Sequence, residues 1–542
     1  MKKIFTLLLL FSASTISFAQ SHLQWTTPEI TTGSQVNLFE GTTTDISGNT
    51  YTINFTQDPN NHYFTYRFFY YNIDGVKEWQ YDNDSCFTDC YDKYNIIVPV
   101  DNEGALFVGS YSDMVTPWQI RIKRIGGLGS LIWQNYWTGP YAYASPVAAR
   151  LDHAGNLVVA MKAIVSMPLQ EDFAIAKFNM TNGHLIWHFE IPDGGTGTAS
   201  LSEIINAMVI DSANNIYCSG RAGFDNVYFK VDAAGSLDYK LVVHDNDSIA
   251  FLSSGGVVNL GLNNNPDLFL LISQGTQTWV QKYNAQTGAY LFTKKIQHDS
   301  AATVAVDFFI DNNEVYALSN YNYFIPDTTF AGGHYTNVDY MITKFNANGN
   351  TVWEKSYLEN VDSLAQQNGS GGAAQMGFCN GHLYALSSAV VDSAGDYSYS
   401  FLTKIDTAGN VAWYDTTREQ FGPGVFAIDT GCSVYISRSM RIGNYVAVVT
   451  QKFGELSTAG VEEMNEKDPY LSIYPNPANT EINLKIPVMN NFELELINTF
   501  GETLLKEKNK ISIDVSSLPQ GIYFLRIKQG SNYYSRKFVM QK

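Results

Sequence analysis

The stretch Ile175-Ala-Lys-Phe-Asn-Met-Thr-Asn-Gly-His-Leu-Ile-Trp187 decides the fold. A short apolar strand ends in Lys177-Phe178, and Asn179 and Gly183 then supply residue types that favour tight turns. Trp187 follows Gly183 by four residues and begins the next apolar segment. The stretch therefore predicts a β-hairpin.

The same spacing between a Gly and an aromatic residue recurs along the chain. The Gly-to-Gly steps are 54, 54, 52, 53, 61 and 60 residues, a period typical of propellers and solenoids. The pairs are Gly75/Trp79, Gly129/Trp133, Gly183/Trp187, Gly235/Tyr239, Gly288/Phe292, Gly349/Trp353 and Gly409/Trp413. We expect these aromatic residues, together with Trp25, to pack between repeats, because large aromatic side chains contribute most to such cores.

A second element, a polar turn that leads into an apolar strand, alternates with the first. It occurs eight times, beginning at Asp45, Asp101, Asp152, Asp211, Asn263, Asp311, Asn380 and Asp429. Two hairpins per repeat give the four strands of a propeller blade. The sequence thus predicts an all-β protein with an eight-bladed propeller, and seven blades are the alternative because only seven Gly-aromatic pairs are present.

An N-terminal strand around Trp25 is expected to complete the last blade. The eighth strand that ends in Lys, Val448 to Phe453, has no Trp after it, and Trp25 stands outside the seven pairs. Pairing of the two segments would remove the exposed sheet edges that otherwise promote aggregation.

The C-terminal residues have a different pattern. They read Leu471-Ser-Ile-Tyr-Pro-Asn-Pro-Ala-Asn-Thr480, Ile497-Asn-Thr-Phe-Gly501 and Ile513-Asp-Val-Ser-Ser-Leu-Pro-Gln-Gly-Ile-Tyr-Phe-Leu-Arg-Ile527. This tail resembles the C-terminal sorting domain of type IX secretion cargo in Bacteroidota. The resemblance implies passage across the outer membrane, removal of the tail, and either release or attachment to the cell surface. Alternating apolar and polar residues in the tail predict a small Ig-like β-sandwich.

The N-terminus agrees with export. Lys2 and Lys3 precede the apolar run from Ile4 to Phe11, and Ser17-Phe-Ala19 is a small-x-small cleavage site. The predicted organisation is a signal peptide at 1–20, a propeller at 21–454, an acidic linker at 455–468 and a sorting domain at 469–542. Sec and type IX secretion machinery are the expected partners, and no membrane-spanning segment is expected.

The repeats also resemble known propeller families. The pattern Lys-Phe-Asn-x-x-x-Gly-x-x-x-Trp is similar to the tryptophan-docking repeat of PQQ-like propellers. Thr329-Phe-Ala-Gly-Gly-His-Tyr335, followed by Asp339-Tyr-Met-Ile-Thr-Lys-Phe345, resembles an SBBP-type bacterial repeat. The chain lacks the adjacent Cys-Cys pair of quinoprotein enzymes, so the resemblance implies the fold and not quinone chemistry.

The composition and charge of the chain limit the classes of molecule that we expect it to bind. Aromatic residues make up 14% and charged residues 16% of the chain, which favours an all-β extracellular protein. Lys2 and Lys3 contribute +2 and the tail from Asp468 another +2, so the body between them carries −22 within the net charge of −18. Such a body repels nucleic acids and anionic membranes. It suits cation binding or simple solubility.

The five cysteines suggest one local disulfide. Cys86 and Cys90 lie in one acidic loop and are the expected pair, whereas Cys218, Cys379 and Cys432 lie in apolar strands and are expected to be buried small hydrophobic residues. The loop from Asp82 to Asp92 offers carboxylates for Ca²⁺ but lacks the Gly and Glu of a known calcium loop. We therefore expect no cofactor, with Ca²⁺ the one possibility left open.

Candidate ligand residues lie in loops. Asp245 and Asp299 occupy equivalent positions in neighbouring repeats, each beside a His. At these positions they could bind Ca²⁺ or a cationic ligand, or act in acid–base catalysis. Tyr321, Tyr323 and Phe324 lie in a long aromatic insertion and are able to stack on sugar rings or to cap the blade's hydrophobic edge.

Two function classes follow from these observations. The leading hypothesis is a secreted or surface-displayed propeller that binds a glycan or a protein and has no catalysis of its own. The alternative is an extracellular polysaccharide hydrolase or lyase that uses carboxylates on one propeller face. Nucleophile elbows, zinc-protease motifs and phosphate loops are absent from the sequence.

Overall fold

The computed structural model describes residues 23–541 with gaps at 30–35, 58–63, 84–90, 101–103, 114–116, 165–170, 192–202, 223–224, 244–255, 264–266, 275–276, 298–301, 327–333, 358–371, 391–397, 420–423, 443–444, 455–471, 486–491, 499–502 and 530–531. The regular elements of these residues are β-strands. The chain divides into two compact units, Met1–Glu455 and Leu456–Lys542. The predicted signal peptide and acidic linker lie outside the described residues.

The first unit contains four-stranded antiparallel sheets, numbered here in chain order. Sheet 1 holds β2 (Val36–Thr44), β3 (Thr50–Gln57), β4 (Phe64–Tyr71) and β5 (Lys77–Asp82). Sheet 2 holds β6 (Tyr91–Val100), β7 (Gly104–Ser112), β8 (Gln119–Ile125) and β9 (Leu131–Trp137). Sheet 3 holds β10 (Tyr143–Leu151), β11 (Leu157–Ile164), β12 (Glu171–Phe178) and β13 (Leu185–Ile191). Sheet 4 holds β14 (Glu203–Ile210), β15 (Ile216–Ala222), β16 (Asp225–Val231) and β17 (Leu237–Val243).

The remaining four sheets follow the same plan. Sheet 5 holds β18 (Gly256–Leu262), β19 (Asp267–Gln274), β20 (Gln277–Asn284) and β21 (Tyr290–Ile296). Sheet 6 holds β22 (Ala302–Asp311), β23 (Glu314–Pro326), β24 (His334–Phe345) and β25 (Thr351–Tyr357). Sheet 7 holds β26 (Gly372–Cys379), β27 (His382–Val390), β28 (Ser398–Asp406) and β29 (Val411–Glu419). Sheet 8 holds β30 (Val425–Ile428), β31 (Val434–Ile442), β32 (Tyr445–Phe453) and, from the N-terminus, β1 (Leu23–Glu29).

The sheets follow one another around a closed ring, which is a β-propeller. The first strand of each sheet contacts the first strand of the next, and β2 of sheet 1 contacts β30 of sheet 8. The strand around Trp25 pairs with β32, with Trp25 opposite Lys452, as the sequence indicated. The core lies between the faces of adjacent sheets, where for example Leu106 and Ile122 of sheet 2 pack with Leu157 of sheet 3.

Acidic side chains fix the turns between first and second strands. Oδ1 of Asp152 accepts hydrogen bonds from the backbone N–H groups of Ala154 and Asn156, at 2.9 and 2.7 Å. Oδ2 of the same carboxylate lies 2.6 Å from Nζ of Lys177 on the third strand. Burial acts to raise the pKa of Asp152, but Lys177 and Asn156 hold it below its usual value. The recurring Asp of the second sequence element is thus a turn residue.

In most sheets the aromatic residue of the fourth strand joins its sheet to the next one. Nε1 of Trp353 in sheet 6 donates to the carbonyl oxygen of Thr407 in sheet 7, at 3.0 Å. The acceptor belongs to the turn between the third and fourth strands, two residues after the last third-strand residue that pairs with the fourth strand. The same contact joins Trp25 to Ile73, Trp79 to Gly127, Trp133 to Met180 and, through its hydroxyl, Tyr239 to Ala285.

A cation beside the aromatic residue strengthens this junction, which we call the seam contact. Lys344 lies opposite Trp353 in the strand pairing, and its Nζ is 3.4 Å from the same Thr407 oxygen. Arg124 and Trp133 share Met180 in this way, and Lys452 and Trp25 share Ile73. In sheet 5, Phe292 has no donor, and Nζ of Lys282 alone reaches the carbonyl of Ala347, at 3.2 Å. Hydrogen bonds with a charged donor are stronger than neutral ones.

Glycine lets the ring approach the turn. Gly183 has φ +72°, and a Cβ atom at this position would lie 2.6 Å from the ring of Trp133. The turn therefore requires Gly both for its left-handed backbone and for the space above the indole. The other turn glycines that face the preceding sheet's aromatic residue in this way are Gly75, Gly129, Gly235, Gly288, Gly349 and Gly409, which face Trp25, Trp79, Trp187, Tyr239, Phe292 and Trp353.

Trp413 has different surroundings from the other repeated aromatic residues. Like the other aromatic residues of the Gly-aromatic pairs it was expected to pack between repeats, and its half-buried ring does adjoin the core shared by sheets 7 and 8. The ring meets Tyr384 of its own sheet edge to face at 6.2 Å. Among the described glycines, however, none of sheet 8 faces Trp413. The physical reason is that β32 and β1 are not consecutive in the chain, so sheet 8 has no hairpin turn to receive the indole.

Polar side chains link the first strands of three later sheets. Oδ1 of Asp307 in sheet 6 accepts hydrogen bonds from Nδ2 of Asn259 in sheet 5, at 2.8 Å, and from the Phe308 N–H. Its Oδ2 accepts from the backbone N–H of Met376 in sheet 7, at 3.0 Å. Burial raises the pKa of Asp307, and these hydrogen bonds only partly oppose that effect.

The disulfide pattern differs from the prediction. Cys379 and Cys432 were expected to be buried small hydrophobic residues, but they form a disulfide with an S–S distance of 1.97 Å and a Cα–Cα distance of 5.5 Å. They are 53 residues apart, about one repeat, so the neighbouring first hairpins of sheets 7 and 8 bring them together. Cys218 is a buried free thiol, as predicted. Cys86 and Cys90 lie outside the described residues.

The second unit is a β-sandwich. One sheet contains β33 (Ser472–Tyr474), β34 (Glu481–Lys485) and β37 (Ser512–Asp514), and the other contains β35 (Glu493–Asn498), β36 (Thr503–Lys508), β38 (Gly521–Gln529) and β39 (Asn532–Met540). Ile482 from the first sheet and Leu525 from the second belong to one hydrophobic core. The Asn476-Pro-Ala478 segment is fastened to the last strand, because Asn476 Oδ1 accepts from the Val539 N–H and the Ala478 N–H donates to the Val539 carbonyl.

Gly183→Ala is expected to destabilise the propeller more than Gly155→Ala. Both glycines lie in turns of sheet 3 with positive φ, but a Cβ at Gly155 meets nothing within 4 Å. The left-handed backbone costs about 1–2 kcal/mol in both variants. Gly183→Ala should lose a further ~1–3 kcal/mol because the new methyl group displaces Trp133. Urea unfolding of the two variants measures the difference, and equal losses would contradict the role of the seam contact.

Asp307→Asn should change how stability depends on pH. Because the folded state raises the pKa of Asp307, the folded chain holds this proton to higher pH than the unfolded chain does. The contribution of Asp307 to stability is complete below its unfolded pKa and is lost as the pH rises through the folded one. Between pH 4 and pH 7 the wild type should therefore lose unfolding free energy relative to Asp307→Asn. A constant difference across parallel urea titrations would refute this.

Candidate functional site

The loops that connect one sheet to the next meet at one face of the ring. Each fourth strand ends there and each first strand begins there, as do the loops between second and third strands, because neighbouring strands are antiparallel. We call this the connection face. Many of its loops are outside the described residues, and the link 138–142 between sheets 2 and 3 is the connection given in full.

The predicted ligand residues are only partly visible. Asp245 and Asp299 lie outside the described residues. Tyr323 and Phe324 lie in β23, and only their backbone is described. Tyr321 is 2% exposed and belongs to the hydrophobic core shared by sheets 5 and 6. Its ring therefore lies inside the core, the alternative that the sequence left open, and is not presented for stacking on a sugar.

The acidic loop considered for Ca²⁺ is described only at its ends. Oδ1 of Asp82 lies 3.4 Å from Nε of Arg67 on the neighbouring strand and accepts a hydrogen bond from Gln80. Asp84 and Asp89 lie outside the described residues. Among the described side chains, no group of three or more His, Cys, Asp or Glu is placed to hold a metal ion.

The link between sheets 2 and 3 buries a tyrosine at the connection face. Gly139 has φ +58°, and its missing side chain leaves room for Trp137 and Tyr141, each 2.8 Å from where a Cβ would lie. The rings of Trp137 and Tyr141 meet edge to face at 5.8 Å. The Ala142 N–H donates to the Ile164 carbonyl at 2.7 Å, which ties the link to β11. Tyr141 is consequently 4% exposed.

Two carboxylates lie beside the Tyr141 hydroxyl. Burial raises the pKa of Tyr141 far above its usual value, and Glu190 and the negative charge of Asp172 raise it further. Glu190 raises the pKa of the hydroxyl as a hydrogen-bond acceptor would, although the pair does not meet hydrogen-bond geometry. Within the described part of the chain, neither the hydroxyl nor Oε2 of Glu190 has a hydrogen-bond partner. Asp172, at the start of β12, is 2% exposed.

An aromatic surface adjoins this polar group. The ring of His188 lies 5.9 Å from that of Trp137, and His188 is exposed while Trp137 and Glu190 are half-buried. His188 and Glu190 are two residues apart on β13, so they point to the same side of the strand. Trp137, Tyr141, Asp172, His188 and Glu190 together form the candidate site, called here the Tyr141 group.

The Tyr141 group can bind hydroxyl-bearing ligands. A neutral tyrosine donates a hydrogen bond and does not act as a base, and its raised pKa keeps it neutral. Glu190 offers an acceptor oxygen, and Trp137 with His188 offers ring faces. A few convergent polar groups beside aromatic rings are typical of small-molecule and saccharide sites.

Sequence reasoning missed these residues. The sequence analysis placed candidate carboxylates in loops, at Asp245 and Asp299, and did not consider positions inside a strand such as Glu190. The aromatic link Trp137-Thr-Gly-Pro-Tyr141 was the available signal, because it is shorter than most of the sheet-to-sheet connections. Its partner Asp172 lies in another hairpin, and only the folded sheet shows that the two are close.

Comparison with known proteins identifies the tail. A family model described as a secretion system C-terminal sorting domain matches residues 472–541. The chain is therefore type IX secretion cargo, it interacts with that machinery, and the protein is secreted or lies on the cell surface. In the described part of the chain no helix has the length and apolar character needed to cross a membrane.

Solved structures similar to this chain show low identity. A protein of unknown function from Bacteroides caccae is 14% identical, with 60% of this chain and 94% of that one covered and a TM-score of 0.30. The Dos1 propeller is 9% identical, with coverage of 69% and 78% and a TM-score of 0.43. The polysaccharide lyase Uly1 is 10% identical, with coverage of 77% and 89% and a TM-score of 0.40. Among curated proteins none matches the chain.

Tyr141→Phe tests whether the Tyr141 hydroxyl has a hydrogen-bond partner in solution. If the hydroxyl is buried without a partner, its removal should leave stability unchanged or raise it by up to about 1–2 kcal/mol, because an unsatisfied buried group is lost. Urea unfolding of the purified protein gives the value. A loss above ~1 kcal/mol would contradict this, since it would require a partner for the hydroxyl.

Proposed function

We propose that the protein is an eight-bladed, non-catalytic β-propeller that binds a glycan at the cell surface or outside the cell. The observation that carries the proposal is the Tyr141 group, where a half-buried indole and an exposed imidazole adjoin a buried phenol and a half-buried carboxylate. A protein ligand is the competing possibility within the same class. The rigid ring would present this group, as scaffolds commonly present binding loops.

The architecture of the proposal rests on several features. Eight four-stranded sheets, with β1 completing the last, support eight blades over seven. Contact of the repeated aromatic residues with the next sheet supports the resemblance to PQQ-like repeats. The two sheets of the tail support an Ig-like sandwich. Lys2, Lys3 and the apolar run after them support entry through Sec before type IX export.

The negative charge of the chain limits the class of glycan that we expect it to bind. The chain between the signal peptide and Asp468 carries −22, and Glu190 and Asp172 place negative charge within the Tyr141 group. Uronic acids and sulfated sugars would be repelled by both. We therefore propose a neutral or amino-sugar polysaccharide as the ligand, held by hydrogen bonds from its hydroxyls to Glu190 and by ring contact with Trp137.

The test compares Trp137→Ala with Tyr414→Ala in the mature protein. Tyr414 is 49% exposed on β29 of sheet 7, far in sequence from the Tyr141 group, so it serves as a matched control for loss of an exposed aromatic ring. Affinity electrophoresis in gels that contain neutral, amino-sugar or uronic-acid polysaccharides gives the binding constants. Trp137→Ala should weaken binding at least about tenfold, equal to ~1.4 kcal/mol, and Tyr414→Ala should not.

Two outcomes would reject the glycan proposal. One is the absence of retention by every polysaccharide. The other is equal weakening by Trp137→Ala and Tyr414→Ala, since the ring faces of the Tyr141 group would then have no special role. Retention of a protein from the cell surface, lost on Trp137→Ala, would favour the protein ligand instead.

A polysaccharide hydrolase or lyase is the second proposed function. Its supporting observation is that Glu190 and Asp172 both act on the Tyr141 hydroxyl, so two carboxylates lie near one proton donor. Release of reducing ends or unsaturated products by the wild type, lost on Glu190→Gln while the unfolding curve is unchanged, would favour this function. Binding without turnover would leave the non-catalytic proposal.

A further inference from the structure

The seam between sheets 7 and 8 is built differently from the others. At the seams from sheet 8 to sheet 1 and onward to sheet 7, a turn between the third and fourth strands receives the neighbouring aromatic residue. In sheet 8 the third and fourth strands are β32 and β1, which come from opposite ends of the propeller. No hairpin joins them, so sheet 8 offers Trp413 of sheet 7 no turn of this kind.

The disulfide lies at this seam. Cys379 is the last residue of β26 in sheet 7, and Cys432 lies in the turn between β30 and β31 of sheet 8. Cys432 has φ +66°, in the position that Gly48 and Gly155 occupy in the equivalent turns of sheets 1 and 3. A residue with a side chain is unfavourable there. The cysteine at this position therefore indicates that the disulfide is kept here in spite of an unfavourable backbone conformation.

Noncovalent contacts also cross the seam: sheets 7 and 8 share a hydrophobic core, and the buried guanidinium of Arg438 in sheet 8 donates to Oγ of Ser400 in sheet 7. The Phe426 N–H donates to Oε1 of Gln375 at 2.9 Å. Ile428 and Phe426 pack against Gly377, where a Cβ would come within 3.0 Å of both side chains. β30 has only four residues, the fewest of the first strands in the described sheets. The disulfide is thus the covalent part of a short interface.

We propose that the Cys379–Cys432 disulfide is a redox-sensitive lock that closes the propeller ring at the seam between sheets 7 and 8. On oxidation the two thiols lose two protons and two electrons as the S–S bond forms, and a disulfide-bonded oxidant, a small molecule or an exchange protein, is reduced to two thiols. On reduction the same exchange runs backwards. The reduced ring then opens locally at sheet 8 while sheets 1 to 7 keep their seam contacts.

Local opening distinguishes a lock from a general stabiliser. The disulfide is the covalent attachment of sheet 8 to sheet 7, and on the other side Trp25 and Lys452 of sheet 8 donate to Ile73 of sheet 1. Loss of the disulfide leaves the shared core and the hydrogen bonds to Gln375 and Ser400 as the attachment of sheet 8 to sheet 7. Subglobal opening of such a unit exposes its amides without unfolding the remaining sheets.

Hydrogen exchange followed by mass spectrometry on the whole mature protein tests this. The Cys379→Ala/Cys432→Ala double variant should exchange at least about tenfold faster in β1, β30 and β31, and peptides from β15 and β16 in sheet 4 should be unchanged. Cys218→Ala is the control, because Cys218 is a buried free thiol remote from the seam in sequence. It should not accelerate exchange in sheet 8.

Reduction of the folded wild type with a phosphine is the second measurement and decides the matter if the double variant does not fold. Faster exchange confined to sheet 8 and the facing strand β26 supports the lock. Uniform acceleration through all sheets, or no change in sheet 8, overturns it, because the disulfide would then stabilise the ring as a whole or not at all.

Discussion

The propeller depends on one carbonyl oxygen in most of the turns between third and fourth strands. This oxygen lies at the boundary between two sheets, and the indole or phenol of the preceding sheet donates to it, often together with a Lys or Arg. A buried carbonyl without a donor is costly, so each turn is stable only when the neighbouring sheet is in place. Folding of one sheet is thereby coupled to the next, which makes the ring cooperative rather than a string of independent hairpins.

This constraint also limits which residues of the propeller are available to bind a ligand. The repeated Lys and aromatic side chains are occupied by the seams, and the repeated Asp side chains by the first turns. Residues that serve a ligand must therefore come from positions where the repeat is broken. The link 138–142 is such a position, because Gly139 and Tyr141 give it a shape of its own.

Local patterns predicted the elements that depend on neighbours in sequence. The alternation around Gly183 and Trp187, and the solitary Trp25, were enough to place the hairpins and the closing strand. The Cys379–Cys432 bond and the meeting of Tyr141 with Asp172 were not accessible in this way, because each joins turns or strands whose proximity follows from the stacking of sheets. The two cysteines do not occupy equivalent positions of their repeats, so the repeat pattern did not reveal the disulfide, and no periodic signal marks the Tyr141 group.

The different surroundings of Trp413 have the same origin. Its spacing from Gly409 is that of every other pair, so the sequence gives no sign that its indole faces a sheet without a hairpin turn. That property belongs to sheet 8, which is assembled from both ends of the propeller. A repeat pattern predicts which side chains each repeat places at a seam. It does not predict which turns of the neighbouring sheet those side chains contact.

The pairing of β1 with β32 has a consequence for the order of assembly. The side chains of Thr26 and Gln451, which are in contact, are 425 residues apart. Contacts of such high sequence separation form slowly, since a very long loop must close before they give any stability. A chain that emerges N-terminus first holds β1 without its partner until nearly the whole body has followed. Ring closure is therefore a late, post-translational event, and truncated chains keep an open sheet edge that marks them as incomplete.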